Sequence, residues 1–178
     1  ECPTCVLVEP LLARLAAAAS LTVYSQDDPQ YGSGVAASVH DASLEHSYRL
    51  DVEIVPTLIR VEGGKEVART YGWDRADWQR ISGIAGLGQD LPALRPGCGS
   101  MTLEPGIAER LAIRFGKARF GSRQIELGDA EDPMEACFDR GWTDGLPVVP
   151  PTPERVLRML GGTPRAPGEI LGSVPPDL

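Results

Sequence analysis

The hydrophobic pattern over the first part of the chain changes between the spacing of a helix and that of a strand. Apolar residues recur at helical intervals over 6–19, where Pro10 predicts a kink because proline removes one hydrogen bond from a helix. A compact apolar run at 21–25 predicts a strand. The stretch 36–49 predicts either a short helix or a loop followed by a helix. Together these elements predict an α/β fold.

A second set of strands is predicted further along the chain. The β-rich run 52–61 contains a single proline, Pro56, which in a strand is typical of an edge or a special backbone position. A glycine pair follows this run, and a second strand at 66–69 completes a predicted hairpin. Asp74 is then predicted to cap a helix over 74–81.

Glycine and proline become frequent after this helix and predict a boundary. We interpret 87–101 as a linker between a first domain at 1–86 and a second at 102–178. In the second region Asp132 is followed by a proline and then a glutamate, a capping pattern that predicts a helix start. Prolines stand at or near the first position of three predicted helices, at Pro105, Pro133 and Pro153.

Two thiols three positions apart open the chain and indicate redox chemistry. Cys2 and Cys5 lie on one face of the predicted helix, and Pro3 suits its first position. Unpaired backbone N–H groups at a helix start favour the thiolate of Cys2. The carboxylate of Glu1 opposes that effect, so the sequence leaves the sign of the net pKa shift open.

The CPTC motif at 2–5 and the VPTL segment at 55–58 together resemble the thioredoxin superfamily. The resemblance implies a three-layer α/β sandwich over 1–86, in which Pro56 follows a cis peptide bond and lies against the two thiols. That fold needs a central strand directly before the CxxC helix, and none stands before Glu1. We therefore expect the chain to begin inside a domain.

The same resemblance implies a thiol–disulfide oxidoreductase that needs no organic cofactor. Cys2 would attack a substrate disulfide, and the more buried Cys5 would resolve the mixed disulfide. The substrate would be a protein or small-molecule disulfide, or a thiol in the attached domain. The residues expected to contact the substrate are Pro3, Thr4, Val55 and Pro56. The alternative is a non-catalytic thioredoxin-fold module that binds partners or serves only its own attached domain.

The segment 142–152, with the sequence WTDGLPVVPPT, resembles a signature of little-characterised bacterial proteins described as UGSC-like. The resemblance covers about 122–178 and carries almost no established mechanism. It implies that 102–178 is the N-terminal part of such a domain, here a small and incomplete helical or irregular α+β module.

The remaining cysteines carry weaker signals. Cys98 stands between two glycines, a context that favours a turn, although the same context could expose an additional reactive thiol. Cys137 is predicted to be a small buried hydrophobe on a helix. A metal-binding CxxC protein is a further alternative, but a zinc site usually shows a second close cysteine pair, so we assign no metal ligand.

Charge and composition exclude several classes of partner. The chain of 178 residues has a formal net charge of −8, which argues against nucleic acid and anionic membranes as partners. Its apolar stretches are too short to span a bilayer. One close cysteine pair and two isolated cysteines fit a redox protein of the cytoplasm better than a disulfide-rich secreted one.

Overall fold

The computed structural model shows a mixed α/β fold that divides into two compact units. The first unit spans 1–111 and the second spans 112–178. The residues that the structure describes are 2–116, 118, 120–166 and 168–173. Within these ranges the helices are too short or too polar to cross a bilayer.

The first unit begins with a helix interrupted at Pro10, as the sequence predicts. Helix α1 (Pro3–Val8) and helix α2 (Leu12–Ala18) are joined by a 3₁₀ turn over Glu9–Leu11. Cys2 is the N-cap residue of α1 and has an extended backbone. The helical segment therefore presents the first thiol at its amino end.

A parallel strand pair follows the helices. Strand β1 (Thr22–Ser25) pairs in parallel with strand β2 (Ala37–His40), and helix α3 (Glu45–Arg49) comes next. The predicted strand and the later part of the predicted helix are present, but β2 was not expected within 36–49. Buried Asp41 directly follows this strand and accepts hydrogen bonds from two backbone N–H groups of α3.

The predicted hairpin is confirmed. Strand β3 (Ile54–Val55) leads through a cis Val55–Pro56 bond into strand β4 (Thr57–Glu62), which pairs antiparallel with strand β5 (Lys65–Tyr71). The two glycines between β4 and β5 have positive φ, which a tight turn requires and glycine adopts without strain.

The helix predicted at Asp74 is also confirmed. Strand β6 (Trp73–Asp74) precedes helix α4 (Arg75–Ser82), and an Asp74 carboxylate oxygen accepts the backbone N–H of Asp77 at 3.0 Å. This hydrogen bond satisfies one of the free donors at the helix start.

The segment expected as a linker is part of the first unit. Strand β7 (Leu94–Arg95) pairs with β6, and strand β8 (Cys98–Gly99) pairs antiparallel with β3. Leu87, at the start of that segment, is completely buried. Glycine and proline serve here for tight turns and close packing rather than for flexibility.

The core of the first unit lies between the helices, β1 and two tryptophans. The rings of Trp73 and Trp78 meet edge to face at 5.3 Å between centroids. A Cβ on Gly88 would approach the Trp73 ring to 2.4 Å, so only glycine fits there without a shift. The buried members of the cluster are Val8, Leu11, Leu12, Leu15, Val23, Trp73, Trp78 and Leu87.

Among the described residues, three further helices follow β8. Helix α5 (Ile107–Arg114) comes after a 3₁₀ turn at Met101–Leu103, and the second unit contains helix α6 (Pro133–Asp139) and helix α7 (Pro153–Gly161). The predicted cap of α6 is confirmed, because one Asp132 carboxylate oxygen accepts two backbone N–H groups at 2.7 and 3.2 Å.

Candidate active site

Cys2 lies against the segment that contains Pro56, although 53 positions separate it from Val55. Its thiol donates to the carbonyl oxygen of Val55 at 3.5 Å, and the peptide bond that follows Val55 is cis. The start of helix α1 therefore lies against strand β3, and the Cys2 sulfur makes this contact. This is the juxtaposition that the two sequence motifs imply.

A third thiol lies at the same place. The Cys2 and Cys98 sulfur atoms are 2.7 Å apart, and both cysteines are free. A disulfide bond is about 2.05 Å long, so the two sulfurs are close to bonding distance without being bonded. Cys98 is in strand β8 rather than in the expected turn, directly opposite Val55 in the register of β8 with β3.

Thr4, the third residue of the CPTC motif, fixes the segment that carries Cys98. Its hydroxyl donates to the carbonyl oxygen of Pro96 at 2.6 Å, and its side chain is buried. Thr4 therefore supports the segment that carries Cys98, and its expected contact with substrate stays a prediction. Pro3 is exposed, whereas Val55 and Pro56 are half-buried.

Gly97 allows β8 to approach β3 closely. A Cβ at this position would lie 2.4 Å from Ile54 Cγ2 and 2.6 Å from the carbonyl oxygen of Val55. Gly72 makes the same approach possible from the other side, because its Cβ would lie 2.6 Å from the Gly97 nitrogen. The position of Cys98 therefore depends on the absence of a side chain at both Gly72 and Gly97.

Polar contacts hold the end of the Cys98 segment. The backbone N–H of Ser100 donates to Glu53 O at 2.9 Å, and the Gln26 side-chain amide donates to the Ser100 hydroxyl at 2.8 Å. The Thr102 hydroxyl donates to Val52 O at 2.8 Å. Since both Ser100 and Thr102 are buried, these bonds fix the backbone directly after Cys98.

The surroundings of Cys2 favour its thiolate. Burial raises the pKa of Cys2, but the side-chain hydrogen bond with Cys98 and the backbone N–H groups of Cys5 and Thr4 lower it further than burial raises it. The net pKa is below the ordinary value for cysteine. Glu1, whose carboxylate was expected to oppose this shift, is outside the described residues.

The two partner thiols have raised pKa values for different reasons. For Cys5 burial is the main cause of the raised pKa, and the negative charge of Cys2 adds to it. For Cys98 the hydrogen bond with Cys2 is the main cause, ahead of burial, while Arg95 lowers its pKa. At the pH where Cys2 ionises, both partners therefore stay protonated.

Tyr31 belongs to the surroundings of Cys5. Its hydroxyl donates to the Cys5 carbonyl oxygen at 2.8 Å, and burial, followed by the charge of Cys5, raises its pKa. The neutral phenol thus stays a donor throughout the pH range in which Cys2 titrates.

The other candidates are not part of this site. Cys137 is buried on α6 in the second unit, as the sequence predicts. Across the described ranges, no three or more side chains of histidine, cysteine, aspartate and glutamate are arranged to hold a metal ion.

Sequence reasoning did not find the residues that bring Cys98 to Cys2. Thr4 was expected to face substrate, while Gly72, Gly97 and Gln26 were given no role in the site. The available signal was the glycine on each side of Cys98, which permits a close backbone approach as readily as a turn.

Comparison with known proteins identifies no relative of the chain. No protein-family model, curated protein or solved structure matches it. The function is therefore inferred from the geometry of the three thiols and from the two motifs.

Proposed function

We propose that the first unit is a thioredoxin-like domain and that the protein exchanges disulfides through Cys2 and its neighbouring thiols. The observation that carries this proposal is the position of Cys2, whose sulfur contacts Val55 O at 3.5 Å and Cys98 at 2.7 Å. A half-buried thiol with a lowered pKa beside other reduced thiols is suited to attack a disulfide.

The exchange proceeds in two displacements. The Cys2 thiolate attacks one sulfur of the substrate disulfide, forms a mixed disulfide and expels the other substrate sulfur as a thiolate. A second thiolate of the protein then attacks Cys2, which releases the first substrate thiol. Two electrons pass from two protein thiols to the substrate, and an external dithiol restores the reduced protein.

Cys5 is the resolving thiol that the CxxC spacing favours. It lies one helical turn from Cys2 on the same face of the helix, and the charge of Cys2 contributes to its raised pKa. Protein and small-molecule disulfides are both proposed substrates. A reducing compartment such as the cytoplasm would keep these thiols available.

Reduction of insulin by the full chain, with dithiothreitol as the reductant, tests this function. We expect wild type to accelerate the reaction and Cys2→Ser to abolish the acceleration, because serine cannot form a mixed disulfide. Cys137→Ser is the matched control and keeps wild-type activity. A wild-type protein that reduces neither insulin nor oxidised glutathione would overturn the proposal.

The contact between Cys2 and Cys98 also favours a second candidate, in which exchange is confined to thiols of the same chain. In that case oxidant-driven pairing of Cys2 would be rapid, whereas insulin reduction in trans would be absent. We propose no activity for the second unit, whose resemblance to UGSC-like proteins carries no mechanism.

A further inference from the structure

Cys98 differs from an incidental thiol because the fold is built to hold it beside Cys2. Its sulfur is 2.7 Å from the Cys2 sulfur, and its strand is paired with the segment that Cys2 contacts. The hydrogen bond from Thr4 to Pro96 connects the CxxC helix directly to the backbone two residues before Cys98. Three elements distant in sequence therefore converge on one pair of sulfur atoms.

We propose that Cys98 resolves the mixed disulfide on Cys2, so that Cys2–Cys98 is the first internal disulfide formed. This inference rests on the proposed function, because it requires Cys2 to react with a disulfide. It assigns to Cys98 the role of the resolving thiol, which the CxxC motif alone would give to Cys5.

The step balances as an ordinary thiol–disulfide exchange. The Cys98 thiol loses its proton to solvent, and its thiolate attacks the Cys2 sulfur of the mixed disulfide. The Cys2–Cys98 bond forms, and the bond from Cys2 to the substrate sulfur breaks. The substrate sulfur leaves as a thiolate and takes up a proton from solvent. An external dithiol then reduces Cys2–Cys98. The required movement of the two sulfurs is smaller than a bond length.

Electrostatics favour Cys98 over Cys5 once the mixed disulfide exists. The main cause of the raised pKa of Cys98 is its interaction with Cys2, and this cause weakens when Cys2 loses its charge by bonding to substrate. Arg95 continues to favour the Cys98 thiolate. The largest cause of the raised pKa of Cys5 is burial, which substrate bonding at Cys2 does not remove, although the next two causes, the charge and the hydrogen bond of Cys2, weaken for Cys5 as well. When Cys2 bonds to the substrate, the pKa of Cys98 therefore falls and more of Cys98 is present as the reactive thiolate.

The decisive experiment uses the full chain carrying Cys137→Ser, reacted in the reduced form with oxidised glutathione and quenched with acid. Peptide mapping identifies the first internal disulfide. Cys2–Cys98 supports the proposal, and Cys2–Cys5 as the first disulfide overturns it. This measurement needs no substitution at the site.

Serine variants provide a second measurement, with folding checked by circular dichroism. In Cys5→Ser the glutathione adduct on Cys2 should decay into Cys2–Cys98, and in Cys98→Ser it should persist about tenfold longer than in wild type, since the thiol that lies 2.7 Å from Cys2 is missing. An adduct that persists in Cys5→Ser but decays normally in Cys98→Ser would overturn the inference alone. If Cys2 forms no adduct in wild type, the proposed function fails as well.

Discussion

The Thr4 hydroxyl donates to the carbonyl oxygen of Pro96 at 2.6 Å, across 92 positions of sequence. Thr4 lies between the two cysteines of the CxxC motif, and Pro96 lies two residues before Cys98. The bond therefore joins the helix that carries one thiol to the strand that carries another. A residue inside the motif therefore helps to hold Cys98 beside Cys2.

Removing the Thr4 hydroxyl should weaken the hold on Cys98 beside Cys2 without changing the shape of the site. Thr4→Val is expected to lower the free energy of unfolding by about 1 kcal/mol, because the bond is lost and its acceptor is left without this donor. Formation of the Cys2–Cys98 disulfide should slow as well. Urea unfolding and peptide mapping measure the two effects.

Thr22→Val is the control for this substitution, since Thr22 is exposed on β1. Equal effects of the two changes on disulfide formation would contradict the positioning role of Thr4.

The two glycines that flank Cys98 should respond differently to alanine. Gly97→Ala places a Cβ against Ile54 and the Val55 carbonyl oxygen, whereas a Cβ on Gly99 meets nothing within 4 Å. We expect Gly97→Ala to cost about 1–3 kcal/mol in the free energy of unfolding through overpacking. It should also slow the pairing of Cys2 with Cys98 after glutathione treatment.

Gly99→Ala should leave both quantities near wild type. The comparison uses proteins with all thiols present. A Gly97→Ala protein that pairs Cys2 with Cys98 as fast as Gly99→Ala would show that close strand approach is unnecessary.

Cys98 should set the pH at which Cys2 becomes reactive. In Cys98→Ala the pKa of Cys2 loses a hydrogen bond that lowers it, so it should rise. Because the thiolate is the reactive form, alkylation of Cys2 by iodoacetamide should then reach its plateau at a higher pH than in wild type. Peptide mapping across a pH series measures this rate for Cys2 alone.

Cys137→Ala serves as the comparison and should leave the Cys2 profile unchanged. Identical profiles for Cys98→Ala and wild type would mean that Cys98 does not stabilise the Cys2 thiolate.

The cap of α4 should contribute to stability but not to the thiol chemistry. Asp74→Ala removes the acceptor of the Asp77 N–H and is expected to cost about 1 kcal/mol in the free energy of unfolding. The exposed Asp90→Ala should cost much less. Urea unfolding followed by tryptophan fluorescence tests the difference, and a larger effect at Asp90 would contradict it.

The elements that could be predicted from the sequence are those with local causes. The hairpin of β4 and β5 follows from two glycines between β-rich runs, and the start of α4 follows from a side chain that caps its own helix. The break at Pro10 follows from the missing amide hydrogen of proline.

Elements that depend on distant partners could not be predicted in the same way. Strand β2 is short and mixed in polarity, and its pairing with β1 is what makes it a strand. Cys98 is 96 positions from Cys2, and nothing in its neighbourhood identifies that partner. The meeting of Cys2 with Val55 could be expected only because two motifs together resemble a known family.

The pairing of β8 with β3 restricts what can reach the reactive sulfur. An extended polypeptide could lie along the Val55 edge only after displacing the protein's own strand, because that edge is already occupied. A compact disulfide such as oxidised glutathione faces no such competition. Under the proposed function, β8 would therefore compete with a protein substrate such as insulin for the Val55 edge, and oxidised glutathione would be reduced faster than insulin.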